Sequence, residues 1–295
     1  MPTITFMNSE RGVGKSTTAV HFSRWLEKRR KRVILVDADA QESSSRWLRN
    51  RESNIESNIE YLAFTNPNQI LNNIPKLAEK TDFMVVDAPA GMTETTRAIL
   101  LRADLAVCPC QPTTLDTDST EQTLQLIKQA QSLRDGQPYA LLVLSKAQRN
   151  TKAKKDALDW IKQSGFYWLT SCIHQRQIFT RLYDKGLTIW DFENSVSPAN
   201  QASAEYEVVF NSILKWGELC LKKDLDNHKQ DEQDFVFQNS NSLWEGLKPQ
   251  ERKPKVRLNV DIDENLNDRL AEKARKLKKS KSELMRVLLN RALYK

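Results

Sequence analysis

The run Ser9-Glu10-Arg11-Gly12-Val13-Gly14-Lys15-Ser16-Thr17 follows directly on a short apolar, β-branched stretch, Thr3 to Met7. A glycine-rich turn between a strand and a helix has one well-defined physical use. Its backbone N–H groups turn inward around an anion, the helix N-terminus adds positive potential, and the lysine reaches the terminal phosphates of a nucleotide. On that reading Arg11, Gly12, Val13, Gly14, Lys15, Ser16 and Thr17 cradle a nucleoside triphosphate, and the Ser16 hydroxyl faces Mg²⁺. The full pattern has glycine at position 9, where this chain has serine.

Further strands are expected at Val33–Asp37, Phe83–Asp87, Leu105–Cys110 and Tyr139–Ser145, with Ile59–Phe64 as an edge strand. Helical periodicity fills Lys15–Arg30, Ser119–Leu133 and Thr151–Ser164, and Ala199–Leu221 reads as a closing helix. Near-continuous apolar strands alternating with helices predict an α/β fold, a parallel sheet covered by helices on both faces. In such a sheet the strand ends converge on the phosphate loop. Asp37 and Asp39, after the second strand, and Asp87, ending Phe83-Met-Val-Val-Asp87, are therefore expected there together. None of the cysteines, Cys108, Cys110, Cys172 and Cys220, forms a C-x-x-C pair, and Cys108-Pro-Cys110 reads as buried strand.

These residues resemble the ParA/MinD deviant Walker ATPases over positions 2 to about 220. The resemblance rests on Gly12-Val-Gly-Lys-Ser-Thr17, Asp37-Ala-Asp39-Ala-Gln41, Asp87-Ala-Pro-Ala-Gly91, and Gln111-Pro112 with Leu115-Asp116. It implies ATP and Mg²⁺ as ligands, with Lys15 and Asp39 catalytic. Asp39 would orient the attacking water, and Ser16, Asp37 and Asp87 would serve the metal. It also implies two subunits sandwiching two nucleotides, slow hydrolysis stimulated by a ParB-like adaptor, and ATP-dependent coating of nonspecific DNA. The family pattern is Lys-Gly-Gly-x-Gly-Lys, and its first lysine reaches the partner's nucleotide. Here Glu10 and Arg11 occupy the first two positions of that pattern. A carboxylate facing phosphates in a dry site costs on the order of several kcal/mol, so Glu10 must point elsewhere or pair with a cation. Arg11 is one replacement; lysines after the Tyr139–Ser145 strand, Lys146 and Lys152 foremost, are the other. ParA-like proteins that position carboxysomes are similar in lacking that lysine. An ATP binder that hydrolyses poorly is the alternative.

The charge is unevenly placed. Of 45 Lys/Arg and 38 Asp/Glu, residues 251–295 hold 14 and 7, leaving 31 of each sign in the rest of the chain. All of the net +7 thus belongs to the last 45 residues, a pattern suited to nucleic acid or an anionic membrane. Within them Val256, Leu258 and Val260 alternate with Lys255, Arg257 and Asn259, a half-buried strand with a cationic outer face. Asp263 then opens one helix, and Ser280-x-x-Glu283 is a capping box for a second. Strand, helix and capped helix resemble a ribbon-helix-helix module. The resemblance implies a dimer whose Lys255, Arg257 and Asn259 meet base edges, with Ser280 and Ser282 on a phosphate. A basic amphipathic membrane helix and a plain dimerisation tag both leave the cationic strand unexplained.

The expected organisation is an ATPase domain at 1–221, a polar linker at 222–254 and a DNA-binding, dimerising module at 255–295. A polar linker of that length reaches roughly 30 Å. No apolar run approaches the ~20 residues of a membrane span, and a strand begins at once, so a cytoplasmic, nucleoid-associated protein is expected. The resulting expectation is a homodimeric plasmid-partition ATPase that binds DNA. Positioning of a protein organelle such as the carboxysome, and nucleotide-responsive repression of transcription, are the alternatives. Replacing Arg257 by alanine is expected to cost about 1–3 kcal/mol of binding on the specific site alone, measured by titration against specific and random duplexes. Equal losses on both would remove the ribbon assignment.

Overall fold

Strand β1 (Thr3–Phe6) is buried along its whole length because strands pair on both of its edges. The computed structural model describes residues 1–51, 57–192 and 197–222, together with Glu272. The chain divides into two compact units, Met1–Leu243 and Trp244–Lys295, and the first is described here. The linker expected beyond Lys222 and the module expected at 255–295, with Lys255, Arg257, Asn259, Ser280 and Ser282, lie, apart from Glu272, outside the described residues.

The order after β1 is α1 (Lys15–Lys28), β2 (Val33–Asp37), α2 (Ser43–Arg49), β3 (Glu60–Ala63), α3 (Pro67–Ala78), β4 (Phe83–Asp87) and α4 (Glu94–Leu100). Then come β5 (Leu105–Cys110), α5 (Thr114–Leu133), β6 (Tyr139–Leu144), α6 (Lys152–Gln163), β7 (Tyr167–Trp168), α7 (Ile178–Asp184) and α8 (Ser197–Lys222). The seven strands form one parallel sheet in the order β3-β2-β4-β1-β5-β6-β7. The five strands expected as buried form its interior, and the stretch expected as an edge strand is β3. The two-residue β7 closes the other edge; so short a run carries no period for a sequence reading to find.

Because side chains alternate across a strand, the buried strands feed two cores. Ile4, Phe6, Leu35, Val85, Val107 and Leu141 face α1 and α8, where Phe22, Trp25, Tyr206 and Phe210 pack. Ile34, Val36, Met84, Val86, Ala106 and Leu142 face the other way, toward Ile70, Ile99, Ile127 and Ile161 of α3 to α6. Cys108 and Cys110 are buried in β5, as expected. The helices begin where polar side chains satisfy free amides: Asn66 caps α3 ahead of Pro67, Thr93 caps α4, and Thr151 caps α6.

His21 on α1 is wholly buried. Its Nδ1 lies 2.7 Å from the Thr17 carbonyl, and its Nε2 accepts from the Ile189 amide at 3.3 Å. Nδ1 therefore carries the proton and the ring is neutral. Tyr206 stacks on it at 5.2 Å, and Trp47, Phe179 and Trp190 complete the surround. Burial pushes its pKa down to about 4, against weaker upward pulls from the Thr17 carbonyl and Asp191. Between about pH 6.5 and 4 the unfolded chain therefore binds a proton the folded one refuses, and stability falls as pH falls through that window. His21→Gln, which preserves a donor and an acceptor, is expected to remove about 2 kcal/mol of that pH dependence, read from urea unfolding at pH 7 and 4.5.

Candidate nucleotide site

The loop after β1 is held in shape from outside. Gly12 and Gly14 sit at φ +76° and +100°, a backbone region that residues with a Cβ rarely adopt, so glycine is required at both. The Gly12 carbonyl accepts from Gln111 Nε2 at 3.1 Å and from Lys146 Nζ. The Val13 carbonyl accepts from Ser145 Oγ at 2.6 Å. In a planar trans peptide the amide points opposite to its carbonyl, so the Val13 and Gly14 N–H groups face away from these anchors. Gly14 then starts α1, and the Thr18 amide donates to its carbonyl at 2.9 Å.

On the other flank, Asn8 Nδ2 donates to Pro109 O and Thr120 Oγ1, both at 2.9 Å. Ser9 stands where the pattern has glycine and uses its hydroxyl: Oγ donates to Ser119 O at 2.6 Å. Glu10 turns toward α5. Its Oε2 accepts from Ser119 Oγ at 3.1 Å and its Oε1 from the Arg11 amide at 3.1 Å. The carboxylate is thus taken up by hydrogen-bond donors rather than by a cation.

Lys15 is buried, and its Nζ donates to the Glu10 carbonyl at 2.6 Å. Burial pushes its pKa down, opposed by the charges of Asp87, Asp39 and Glu10, while that of exposed Arg11 adds to the lowering. Arg11 and all three carboxylates thus lie within electrostatic reach of one ammonium.

The acidic groups are brought together by strand register. Asp37 and Asp87 are direct partners across β2 and β4, and Asp87 is also the partner of Phe6 on β1. Asp37 is satisfied, accepting from the Asp39 and Ser45 amides at 3.1 and 2.8 Å. Asp87 is buried with no hydrogen-bond partner on either oxygen, and the Ser44 hydroxyl is likewise unpaired. Burial, then the Asp37 charge, pushes the Asp87 pKa up to about 7, although the nearby Ser16 and Ser44 hydroxyls and Lys15 pull it down. A buried carboxylate with two orphaned oxygens, beside a second carboxylate and a hydroxyl, matches what a hard divalent cation needs. The described residues include no group of three or more His, Cys, Asp or Glu able to hold an ion. Two carboxylates and a hydroxyl suit Mg²⁺, which takes few carboxylates and completes its shell from water and phosphate. Asp39 is half-buried, its Oδ1 accepting from the Gln41 amide at 2.9 Å.

A cavity of about 340 Å³ opens beside the loop, lined by Val13, Gly14, Thr17, Lys146, His174 and Tyr206 among others. Of the two expected lysines the structure brings Lys146 to the loop. It sits at φ +49°, in the left-handed region, which costs a residue with a Cβ about 1–2 kcal/mol. Lys152 is not on that loop; it opens α6 as an exposed residue behind its cap Thr151, because the cap starts the helix there. Asn8, Ser119, Ser145 and the anchoring role of Gln111 are contributions a sequence reading does not assign. A polar pair directly after an apolar strand was the signal for Asn8 and Ser9; the others depend on tertiary contact.

A parallel sheet with a lysine-bearing glycine loop behind its central strand and carboxylates on the neighbouring strand ends defines a P-loop NTPase of the ParA/MinD type. The chain belongs to the family described as ATPase MipZ, whose model matches residues 2–163. A second model, the ribbon-helix-helix protein of the copG family, matches residues 256–295. Maintenance of carboxysome distribution protein A of Halothiobacillus neapolitanus is 26% identical over 216 residues, covering 72% of this chain and 96% of that protein. Protein ParA of Rhizobium radiobacter is 28% identical over 135 residues, covering 46% of this chain and 60% of that protein. Among solved structures, the ATP complex of a Cyanothece McdA variant superposes with a TM-score of 0.61 at 15% identity, covering 72% of this chain and 96% of that one. MinD of Aquifex aeolicus gives a TM-score of 0.59 at 16% identity, with 73% and 97% covered.

Lys15→Ala is expected to abolish ATP binding, measured by calorimetric titration, because it removes the only lysine of the loop. Unchanged affinity would remove the site assignment.

Proposed function

We infer that this protein is an ATP-hydrolysing positioning ATPase that closes as a sandwich dimer. The observation that carries this reading is the pairing of Asp37 with Asp87 in register behind the loop, with both Asp87 oxygens unpartnered. Gly12, Val13, Gly14, Lys15, Ser16 and Thr17 bind the phosphates, while Ser16, Asp37 and Asp87 would hold Mg²⁺ directly or through water. The ion supplies neutralisation of phosphate charge. Asp39, tethered to its own loop through Gln41, orients the attacking water. Hydrolysis is slow and stimulated by an adaptor protein.

The expectation of plasmid partition gives way to positioning of a protein cargo. Three carboxysome distribution proteins align over 96%, 93% and 98% of their own length, whereas Protein ParA of Rhizobium radiobacter aligns over 60% of its own. Lys146 is the favoured substitute for the family's bridging lysine, since it already lies against the loop. Arg11, exposed and electrostatically close to Lys15, is the rival.

A second reading has one observation in its favour. The ribbon-helix-helix model matches residues 256–295, apart from the residues 2–163 that the ATPase model matches. On that reading Lys255, Arg257 and Asn259 contact bases, Ser280 and Ser282 contact phosphate, and the cargo is a DNA bearing the cognate site. The module would also hold two ATPase domains together without nucleotide. Tethering of that kind gives an effective concentration on the order of high micromolar to millimolar, which offsets a sandwich weakened by loss of the bridging lysine.

Asp39→Ala is expected to retain ATP binding and lose hydrolysis; persisting phosphate release would overturn the assignment. The full chain is expected to be dimeric without ATP, and a chain ending at Leu221 monomeric until ATP is added, both read by light scattering. A monomeric full chain would remove the tether. Imaging the tagged protein in its native cell, with and without cargo-organelle genes or the DNA site, separates the two cargo readings.

A further inference from the structure

A second cluster of reactive side chains lies outside the loop and its carboxylates. Cys172 and His174 follow β7, and Glu205 projects from α8. His174 Nδ1 lies 2.8 Å from Glu205 Oε1, and the His174 amide donates to Glu205 Oε2 at 3.1 Å. On the far side of the ring, Nε2 lies 3.7 Å from Cys172 Sγ and 3.3 Å from Lys154 Nζ. Both neighbours of the ring fix its tautomer. A carboxylate accepts only, so Nδ1 carries the proton; an ammonium donates only, so Nε2 presents its lone pair. Arg176 holds Glu205 with two hydrogen bonds, at 2.5 and 2.7 Å, and a parallel bridge to Ala147 fixes His174 along the end of β6. Burial holds the His174 pKa below its usual value, against the pull of Glu205, so the ring is free to accept a proton at neutral pH.

A sulfur, an imidazole whose Nε2 lone pair faces both that sulfur and the Lys154 ammonium, and a carboxylate orienting the imidazole form a nucleophile–base–orienter series. We propose that Cys172 is an activated thiol that undergoes exchange with low-molecular-weight disulfides, and that the resulting adduct lowers nucleotide affinity. In the step, the Cys172 proton passes to His174 Nε2 and Sγ attacks one sulfur of the disulfide. The new S–S bond forms as the old one breaks, and the departing thiolate takes the proton from His174. No net oxidant beyond the disulfide is consumed, and a free thiol reverses the exchange. Glu205 lies beside the developing imidazolium.

The selectivity follows from exposure. Cys172 is half-buried, whereas Cys108, Cys110 and Cys220 are buried. His174 also walls an open cavity of about 590 Å³, where Arg149, Arg176, Gln177 and Gln201 suit an anionic, peptide-like group. The same His174 lines the cavity beside the phosphate loop with Val13 and Gly14, so displacing its ring alters that cavity. The second half of the proposal rests on the ATP-site reading; the labelling half stands without it.

The test treats the reduced full-length protein with glutathione disulfide and maps the adduct by mass spectrometry. Labelling is expected at Cys172 alone. His174→Gly is expected to slow it on the order of tenfold or more, with part of the rate restored by added imidazole, which a merely structural histidine would not allow. Glu205→Gln is expected to slow it less. ATP affinity of the thiolated protein, by calorimetry, is expected to fall about fivefold or more and to recover with dithiothreitol, while Cys172→Ser shows no response to the disulfide. Adducts on the other cysteines, or an unchanged rate in both His174→Gly and Glu205→Gln, would overturn the activated thiol. Equal ATP affinity before and after thiolation would overturn the link to the nucleotide cavity.

Discussion

Two carboxylates forced side by side hold the key to this site. Parallel pairing of β2 with β4 sets Asp37 opposite Asp87 at the same level of the sheet, both excluded from water. Like charges in a low-dielectric interior oppose ionisation of both, and the structure answers unequally. Asp37 is stabilised by two backbone amides, while Asp87 is left without partners and its pKa rises to about 7. A site built this way is poorly satisfied by protein groups alone. Lys15, itself buried nearby, offers one cation, and a divalent ion is the natural complement to the rest.

The loop depends on groups remote in sequence for its shape. Gln111 after β5, and Ser145 and Lys146 after β6, take the outward carbonyls of Gly12 and Val13, while Asn8 and Ser9 bind β5 and α5. The family's bridging lysine is absent, and its glutamate replacement is directed to Ser119 instead of toward the phosphates. One exchange at position 10 is therefore accommodated by a serine on α5.

His21 joins this loop to the distal core. It accepts from the Ile189 amide beside Trp190 and faces the Thr17 carbonyl two residues after the loop lysine, inside a ring of aromatics drawn from α2, α7 and α8. The aromatic core on that side of the sheet is thus in direct contact with the nucleotide-binding helix. His174, lying between two cavities and held by Glu205, has a comparable place on the opposite flank of the loop.

The sequence by itself determined the sheet and the loop. Apolar runs with no polar alternation require strands buried on both faces, and Gly12, Gly14 and Lys15 follow the first of them at a spacing that suits one backbone conformation. It also marked Asp37, Asp39 and Asp87, since strand ends in a parallel sheet converge. A ribbon-helix-helix module was legible from strict alternation at 255–260 and the capping box at Ser280, and a model of that family matches residues 256–295. Tertiary structure alone decided where Glu10 points, that Lys146 rather than Lys152 meets the loop, and that Cys172 lies beside His174 and Glu205. Those outcomes turn on contacts between residues distant in the chain, and the local periodicity that reveals a strand or helix carries no record of them.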